Sequence, residues 1–237
     1  MNIIAHRGAS GTAPENTGAA FSKAVEKNSD GVEFDIHFCR DNEIVVIHDC
    51  TVDRTTDGSG EIRDLTLNEI KQLDAGRYYA PEFKGEKLLT LQETLDIVAE
   101  LELINIEIKG NDISREKLKR VLNIIYEYDI EDNVIISSFN HYALKDIKQL
   151  DDNIKTGILY FAAVYDPWDY AAKLQADAIH PYLDGVEEQI VNGCHKNNVE
   201  VNVFGVNNEE EIKSVKKMGV DAVITDYPAY ARKIIRD

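Results

Sequence analysis

Two histidines, three carboxylates and two cationic side chains fall where short β-rich runs end in this chain. His6-Arg7-Gly8 follows the run Asn2–Ala5, and Glu33 and Asp35 lie within Val32–His37. His48-Asp49 closes Ile44–His48, and Glu107 and Lys109 close Leu103–Ile108. Side chains alternate along a strand with period two, so Glu33 and Asp35 share a face, as do Glu107 and Lys109 where the strand stays extended. Two carboxylates on one strand and a third from another repel unless a cation lies between them. Oxygen-only donors suit a hard divalent ion, Mg2+ or Ca2+, whereas zinc would bring Cys or His into a tetrahedral shell. One divalent ion is therefore expected on Glu33, Asp35 and Glu107, with no arginine among the three. His6 and His48 beside it suit general acid and general base work near neutral pH. Arg7 can meet a phosphate with two hydrogen bonds and Lys109 adds a point charge. Metal, Arg and Lys around one anion form an electrostatic clamp for phosphoryl chemistry.

Taken singly, each of these has a structural explanation. A lone strand-end histidine is usually a hydrogen-bonded structural residue, a Glu-x-Asp pair a solvated strand face, and Arg-Gly a turn. The functional reading rests on the set, which sits at the ends of three neighbouring strands and serves one reaction class. His37, His141, His180 and His195 are read as structural. His37 shares the face of Asp35 and has the strongest claim of the four to a role.

What must position these groups is a repeating βα chain. Strands are predicted at Asn2–Ala5, Val32–His37, Ile44–His48, Leu103–Ile108, Val134–Ser138, Thr156–Tyr160, Ala178–His180, Glu200–Phe204 and Ala222–Thr225. Several are continuous apolar runs, as in strands buried on both faces. Thr90-Leu-Gln-Glu93 and Thr66-Leu-Asn-Glu69 read as capping boxes, and Ser114 caps a helix with the stripe Leu118, Val121, Leu122 and Ile125. Further helices are predicted near 140–150, 167–175, 186–197, 208–218 and 228–236. A parallel strand needs a crossover of a dozen or more residues. The run 44–48 follows 32–37 too closely for that and must return antiparallel. A two-residue turn at Asp41-Asn42 would set Asp35 opposite His48 and bring that histidine to the carboxylates. Eight parallel strands remain, the number of a (β/α)8 TIM barrel, whose catalytic residues come from the carboxyl ends of its strands. Residues 1–237 are expected to form one catalytic domain, with the stretch of about 51–89 an insertion.

Composition narrows the partners. The 237 residues carry 26 Lys and Arg against 43 Asp and Glu, a net charge of −17. That balance argues against nucleic acid or an anionic membrane as partner. An acidic protein that binds an anion needs local positive charge from a metal or a few placed cations. No stretch reaches the roughly 18 apolar residues of a membrane span. The N-terminus lacks the basic and apolar regions of a secretory signal, and Cys39, Cys50 and Cys194 match no zinc or redox spacing. A cytoplasmic protein with reduced thiols is expected; oligomeric state is not predicted.

Together these motifs resemble the glycerophosphodiester phosphodiesterase family over nearly the whole chain. They are His6-Arg7-Gly8, Pro14-Glu15-Asn16-Thr17, Glu33-Phe34-Asp35, His48-Asp49, Asp53-Arg54-Thr55-Thr56 with Gly58 and Gly60, Glu107-Ile108-Lys109, Ser138-Phe139, and Thr225-Asp226 with Pro228. The resemblance implies a (β/α)8 barrel with an insertion after its second strand. It implies Glu33, Asp35 and Glu107 as metal ligands, His6 and His48 as catalytic histidines, and Arg7 and Lys109 as phosphate contacts. It implies hydrolysis of a small-molecule glycerophosphodiester to glycerol 3-phosphate and an alcohol. Three departures stand out. The family's Trp-Thr-Val-Asn is here Phe204-Gly205-Val206-Asn207, the hairpin carries Cys39 and Asn42, and Leu89 stands where Pro is frequent. The first suggests that Phe204 lines the substrate pocket in place of the Trp.

Three rivals are distinguishable. A lysophospholipase D-like enzyme would need an apolar patch at the barrel mouth, which no single stretch of sequence supplies. A non-catalytic phosphate binder should have lost a histidine or a ligand. An aldolase-like barrel would need a Schiff-base lysine inside a strand, and Lys109 beside Glu107 is held as a cation.

Overall fold

In the computed structural model, which describes residues 1–111 and 113–236, the apolar runs close into a barrel. The strands are β1 (Asn2–His6), β2 (Gly31–Phe38), β3 (Ile44–Val46), β4 (Leu89–Thr90), β5 (Leu103–Ile108), β6 (Val134–Ser138), β7 (Lys155–Tyr160), β8 (Ala178–Pro181), β9 (Glu200–Phe204) and β10 (Ala222–Thr225). The helices are α1 (Gly18–Glu26), α2 (Leu67–Ile70), α3 (Leu91–Val98), α4 (Arg115–Glu127), α5 (His141–Leu150), α6 (Pro167–Leu174), α7 (Glu188–Lys196), α8 (Glu209–Met218) and α9 (Pro228–Arg236). The order β1-β2-β5-β6-β7-β8-β9-β10 is parallel throughout, and β10 pairs with β1 to close the ring. This is the (β/α)8 TIM barrel, with α1 and α3 to α9 on its outside.

Alternation along each strand separates core from chemistry. On β2, Val32, Phe34 and Ile36 are fully buried under the helices while Glu33 and Asp35 point inward. Phe34 meets Phe21 of α1 edge to face at 5.8 Å. On β5, Ile104, Ile106 and Ile108 pack outward and Asn105 and Glu107 turn in. Burying each large apolar side chain contributes about 1.5–3 kcal/mol, so the outer layer stabilises the barrel and leaves its lumen free for polar groups. Thr90 and Thr66 form the two predicted capping boxes, and Ser114 accepts from the Lys117 amide.

The hairpin departs from its prediction. β3 does return antiparallel to β2, but the register pairs Phe38 with Ile44 and Ile36 with Val46. The amide of Cys39 donates to Glu43 O, and Asn42 takes φ 61°. The turn is thus three residues, Arg40-Asp41-Asn42, with the left-handed position that closes such a loop occupied by Asn. One extra residue shifts the register by one, so the Ile47 amide, not that of His48, pairs with Asp35 O at 2.9 Å.

The insertion holds its own small core of Val45, Ile47, Val52, Ile62, Ile70, Ala75 and Leu88. Its end differs from expectation: Leu89 and Thr90 form β4, antiparallel to β3, which ties the insertion to the hairpin. The three cysteines are free. Among the described residues no helix is long and apolar enough to cross a membrane.

Candidate active site

Strand register stacks the polar residues in two levels at the carboxyl end of the barrel. His6, Glu33 and Asn105 are register partners across β1, β2 and β5. Asp35, Glu107 and Ser137 form the next level toward the mouth. Glu33, Asp35 and Glu107 are buried, and carboxylate oxygens from all three lie within 4.8 Å of one another. Glu33 and Glu107 line one side of a cavity of about 460 Å³ that His6, Arg7, His48 and Lys109 also line.

Both cations lie against the carboxylates: Lys109 beside Glu107 accords with the sequence, whereas Arg7 near Asp35 departs from the expectation of no arginine among them. Arg7 Nη1 donates to Glu15 Oε1 at 2.8 Å, and its Nε lies 3.4 Å from Asp35 Oδ2. Lys109 Nζ lies 2.9 Å from Asp35 Oδ1 and 2.5 Å from Glu107 Oε1. Neither oxygen accepts a well-aligned hydrogen bond, and Glu33 Oε1 is also buried without a partner. Asp35 receives Asn16 Nδ2 at 2.9 Å. The backbone turn at Arg7, φ 54°, aims its amide at Glu33 Oε2, 3.0 Å away.

Two cations do not neutralise three buried carboxylates. Burial opposes ionisation of Asp35, but Lys109 and Arg7 hold its pKa below the usual carboxylate range. Glu107 is pushed up to about 7 by burial and by the charge of Asp35. Burial drives Glu33 well above the ordinary value, and Asp35 and Glu107 add to the shift. The cluster therefore has the donors, spacing and uncompensated charge that a hard divalent cation satisfies.

Each histidine is oriented by an aspartate at Nδ1. His6 Nδ1 sits 2.6 Å from Asp226 Oδ1, and Nε2 faces the cluster, 3.9 Å from Glu33. Asp226 is held in turn by Asn207 Nδ2 at 2.8 Å and by Ser10 Oγ at 3.2 Å. His48 Nδ1 sits 2.7 Å from Asp49 Oδ1. Arg54, from the insertion, grips Asp49 with Nε and Nη2 and Glu15 with Nη1 and Nη2. These bonds hold the Asp49 carboxyl down at about 2. Burial lowers the His48 pKa, which favours its neutral form. Because β3 ends at Val46, His48 reaches the cavity by leaving the ladder, not by facing Asp35 across it. His37 does not join the central cavity. Its Nε2 bonds the His48 carbonyl at 3.0 Å, and it lines a separate cavity of about 320 Å³ behind Lys109.

The far wall of the cavity is aromatic. Phe204 lines it, in contact with Tyr182 at 5.3 Å and Phe161 at 5.5 Å. Phe139 stacks on Phe161 at 4.9 Å, and both are exposed at the rim. Asp226, Asp49, Arg54, Glu15 and Asn207 were not singled out from sequence. All five stand within motifs noted above, but no spacing rule ties Asp226 to His6 across 220 positions of chain.

The barrel and its histidine–carboxylate mouth define a class of enzymes, and comparison with known structures agrees. A phosphodiesterase of Oleispira antarctica, solved with its product sn-glycerol-3-phosphate, superposes with a TM-score of 0.94 at 30% identity. The match covers 100% of this chain and 97% of that one. A glycerophosphodiester phosphodiesterase of Thermotoga maritima matches with a TM-score of 0.79 at 27% identity, covering 99% and 98% of the two chains. In sequence, the glycerophosphodiester phosphodiesterase of Caldanaerobacter subterraneus is 42% identical over 99% of this chain and 97% of its own length. The glycerophosphoryl diester phosphodiesterase family model spans residues 6–230, and the chain belongs to that family.

Proposed function

We propose that this chain hydrolyses glycerophosphodiesters to glycerol 3-phosphate and an alcohol. The observation that carries this reading is a buried three-carboxylate cluster beside two histidines, each with its Nδ1 held by an aspartate. The activity of its relatives, and the product bound by the Oleispira antarctica enzyme, support it.

Glu33, Asp35 and Glu107 would hold one divalent ion, Mg2+ or Ca2+. An ion held there would supply Lewis-acid stabilisation of the charge that develops on the phosphate. Arg7 and Lys109 turn from the carboxylates toward the phosphate and take up further negative charge. With Nδ1 committed to Asp226 or Asp49, each histidine presents Nε2 for proton transfer. One removes a proton from the nucleophile, which is water or the neighbouring glycerol hydroxyl, and the other protonates the departing alkoxide. Phe204 and its aromatic neighbours receive the alcohol. Residues 1–237 act as one catalytic unit, with the insertion supplying Arg54 to position His48. Free cysteines accord with a cytoplasmic, reducing setting.

The aromatic rim favours a second reading, cleavage of a lysophospholipid head group by the same machinery. Phe139 and Phe161 supply the apolar patch at the mouth that such a substrate requires.

The test is release by purified protein of glycerol 3-phosphate from a panel of glycerophosphodiesters, and of lysophosphatidic acid from a panel of lysophospholipids. Release that depends on Mg2+ or Ca2+ and stops with chelator is expected. No release from any glycerophosphodiester by the cation-loaded protein would refute the primary reading.

A further inference from the structure

Asn105 occupies the cavity floor and has no counterpart in the catalytic scheme above. It lies on β5 as the register partner of Glu33, two residues before Glu107 and on the same inward face. It is 1% exposed yet lines the cavity, and its Oδ1 has no hydrogen-bond partner. A buried polar atom without a partner is rare in folded proteins and marks a place where something else binds. The charged side chains around this cavity are all engaged. His6 and His48 hold aspartates, Arg7 holds Glu15, and Lys109 lies against Asp35 and Glu107. Glu33 accepts from the Arg7 amide, and Asp226 accepts from Asn207. Asn207 is committed at both ends, to Asp226 and to Thr225, whereas the Asn105 carboxamide keeps an open acceptor.

We infer that Asn105 recognises a hydroxyl of the glycerol half of the substrate, an inference that rests on the glycerophosphodiester reading. A phosphate calls for cations, and the site already has Arg7 and Lys109. A glycerol hydroxyl calls for a neutral partner that can both donate and accept, which a carboxamide is. The remaining walls sort the substrate. The side formed by Phe139, Phe161, Tyr182 and Phe204 is mainly aromatic ring surface, whereas Asn105 sits at the level of His6 and Glu33. The glycerol end then points down into the lumen and the alcohol end up toward the aromatic rim. Asn105 thereby makes the site selective for a polyol on one side of the phosphate and tolerant on the other. A site built to bond a hydroxyl discriminates strongly against an analogue that lacks it.

The test compares ligands that share a phosphate and differ in hydroxyls: glycerol 3-phosphate, propyl phosphate and inorganic phosphate, titrated calorimetrically into Mg2+-loaded protein. The wild type should bind glycerol 3-phosphate more tightly than propyl phosphate. Asn105→Ala should weaken glycerol 3-phosphate binding by about 10-fold or more while leaving propyl phosphate and inorganic phosphate within about twofold. In turnover, the same variant should lose kcat/KM on a glycerophosphodiester and keep it on a nitrophenyl propyl phosphodiester. Equal weakening of all three ligands would show that Asn105 serves the phosphate or the cation and would overturn the inference. Unchanged glycerol 3-phosphate binding would overturn it too. Should Asn105→Ala fail to fold, equal wild-type affinity for glycerol 3-phosphate and propyl phosphate refutes it without the variant. Failure of the glycerophosphodiester reading itself looks different, because the wild type would then turn over no glycerophosphodiester of the panel.

Discussion

Replacing Glu107 by Gln should leave the cation-free protein near wild-type stability at acid pH and make it more stable than wild type at alkaline pH. Burial and the charge of Asp35 raise Glu107 from 4.5 to about 7. The folded state therefore binds this proton more tightly than the unfolded state does. The stabilisation is complete below 4.5, is lost as pH rises through about 7, and has gone by about pH 8. Moving one carboxyl from 4.5 to about 7 is worth about 3 kcal/mol. Glutamine keeps the shape and cannot titrate. In chelator, the difference in stability between wild type and Glu107→Gln should thus swing by about 3 kcal/mol across this range, or about 6–12 °C in relative Tm for a domain of this size. The comparison cancels His37 and His48, whose values are lowered by burial and which favour the folded state as pH rises through 6.5. Asp35, held low by Lys109 and Arg7 against its burial, loses its contribution only as pH falls below 3.8, outside the window. Adding Mg2+ or Ca2+ should raise the wild-type Tm progressively more at higher pH, because ligands must be deprotonated, and should have little effect on Glu107→Gln. Scanning calorimetry at several pH values, with chelator or cation, measures both. A relative Tm that does not change with pH, or that moves in favour of wild type as pH rises, would refute this account of the cluster.

Other expectations concern catalysis. His6→Ala and His48→Ala should each lower kcat/KM on the natural substrate by about 10²–10⁴. On a nitrophenyl ester, whose leaving group needs no proton, one of the two should recover much of its rate, and equal impairment of both on both substrates would contradict the acid and base roles. Arg54→Ala should cost up to about 10²-fold in kcat by releasing Asp49 and with it His48, and Arg54→Lys should not restore it, because Lys cannot grip Asp49 and Glu15 with paired bonds. A full-rate Arg54→Ala enzyme would remove the insertion from the mechanism. Phe204→Trp should reorder the preference among alcohol groups while moving Tm little, and the opposite pattern would make Phe204 a core residue only.

The barrel was legible because its causes are local. Apolar runs of four to six residues separated by helical stripes admit few arrangements, and period two alone placed Glu33, Asp35, Glu107 and Lys109 on inward faces. The Thr66 and Thr90 boxes likewise depend on residues three apart. The hairpin was not legible to the same degree. Whether its turn holds two or three residues depends on Asn42 accepting φ 61°, a small difference in energy that decides the entire register.

Residue types and their spacing by themselves determined that this chain carries three carboxylates, His6 and two cations at strand ends of a parallel barrel, with His48 after a hairpin return, and hence the class of its chemistry. Tertiary structure decided who holds whom. Barrel closure brings β10 against β1 and thereby sets Asp226 on His6, and the insertion's return on the hairpin lets Arg54 brace Asp49 and His48. It also decided the charge state of the site, since Glu33 and Glu107 resist ionisation only once they are buried beside Asp35. Periodicity acts over a few residues and is written in the sequence. Desolvation and pairing across the ring arise only when distant strands share one lumen, and no local pattern encodes them.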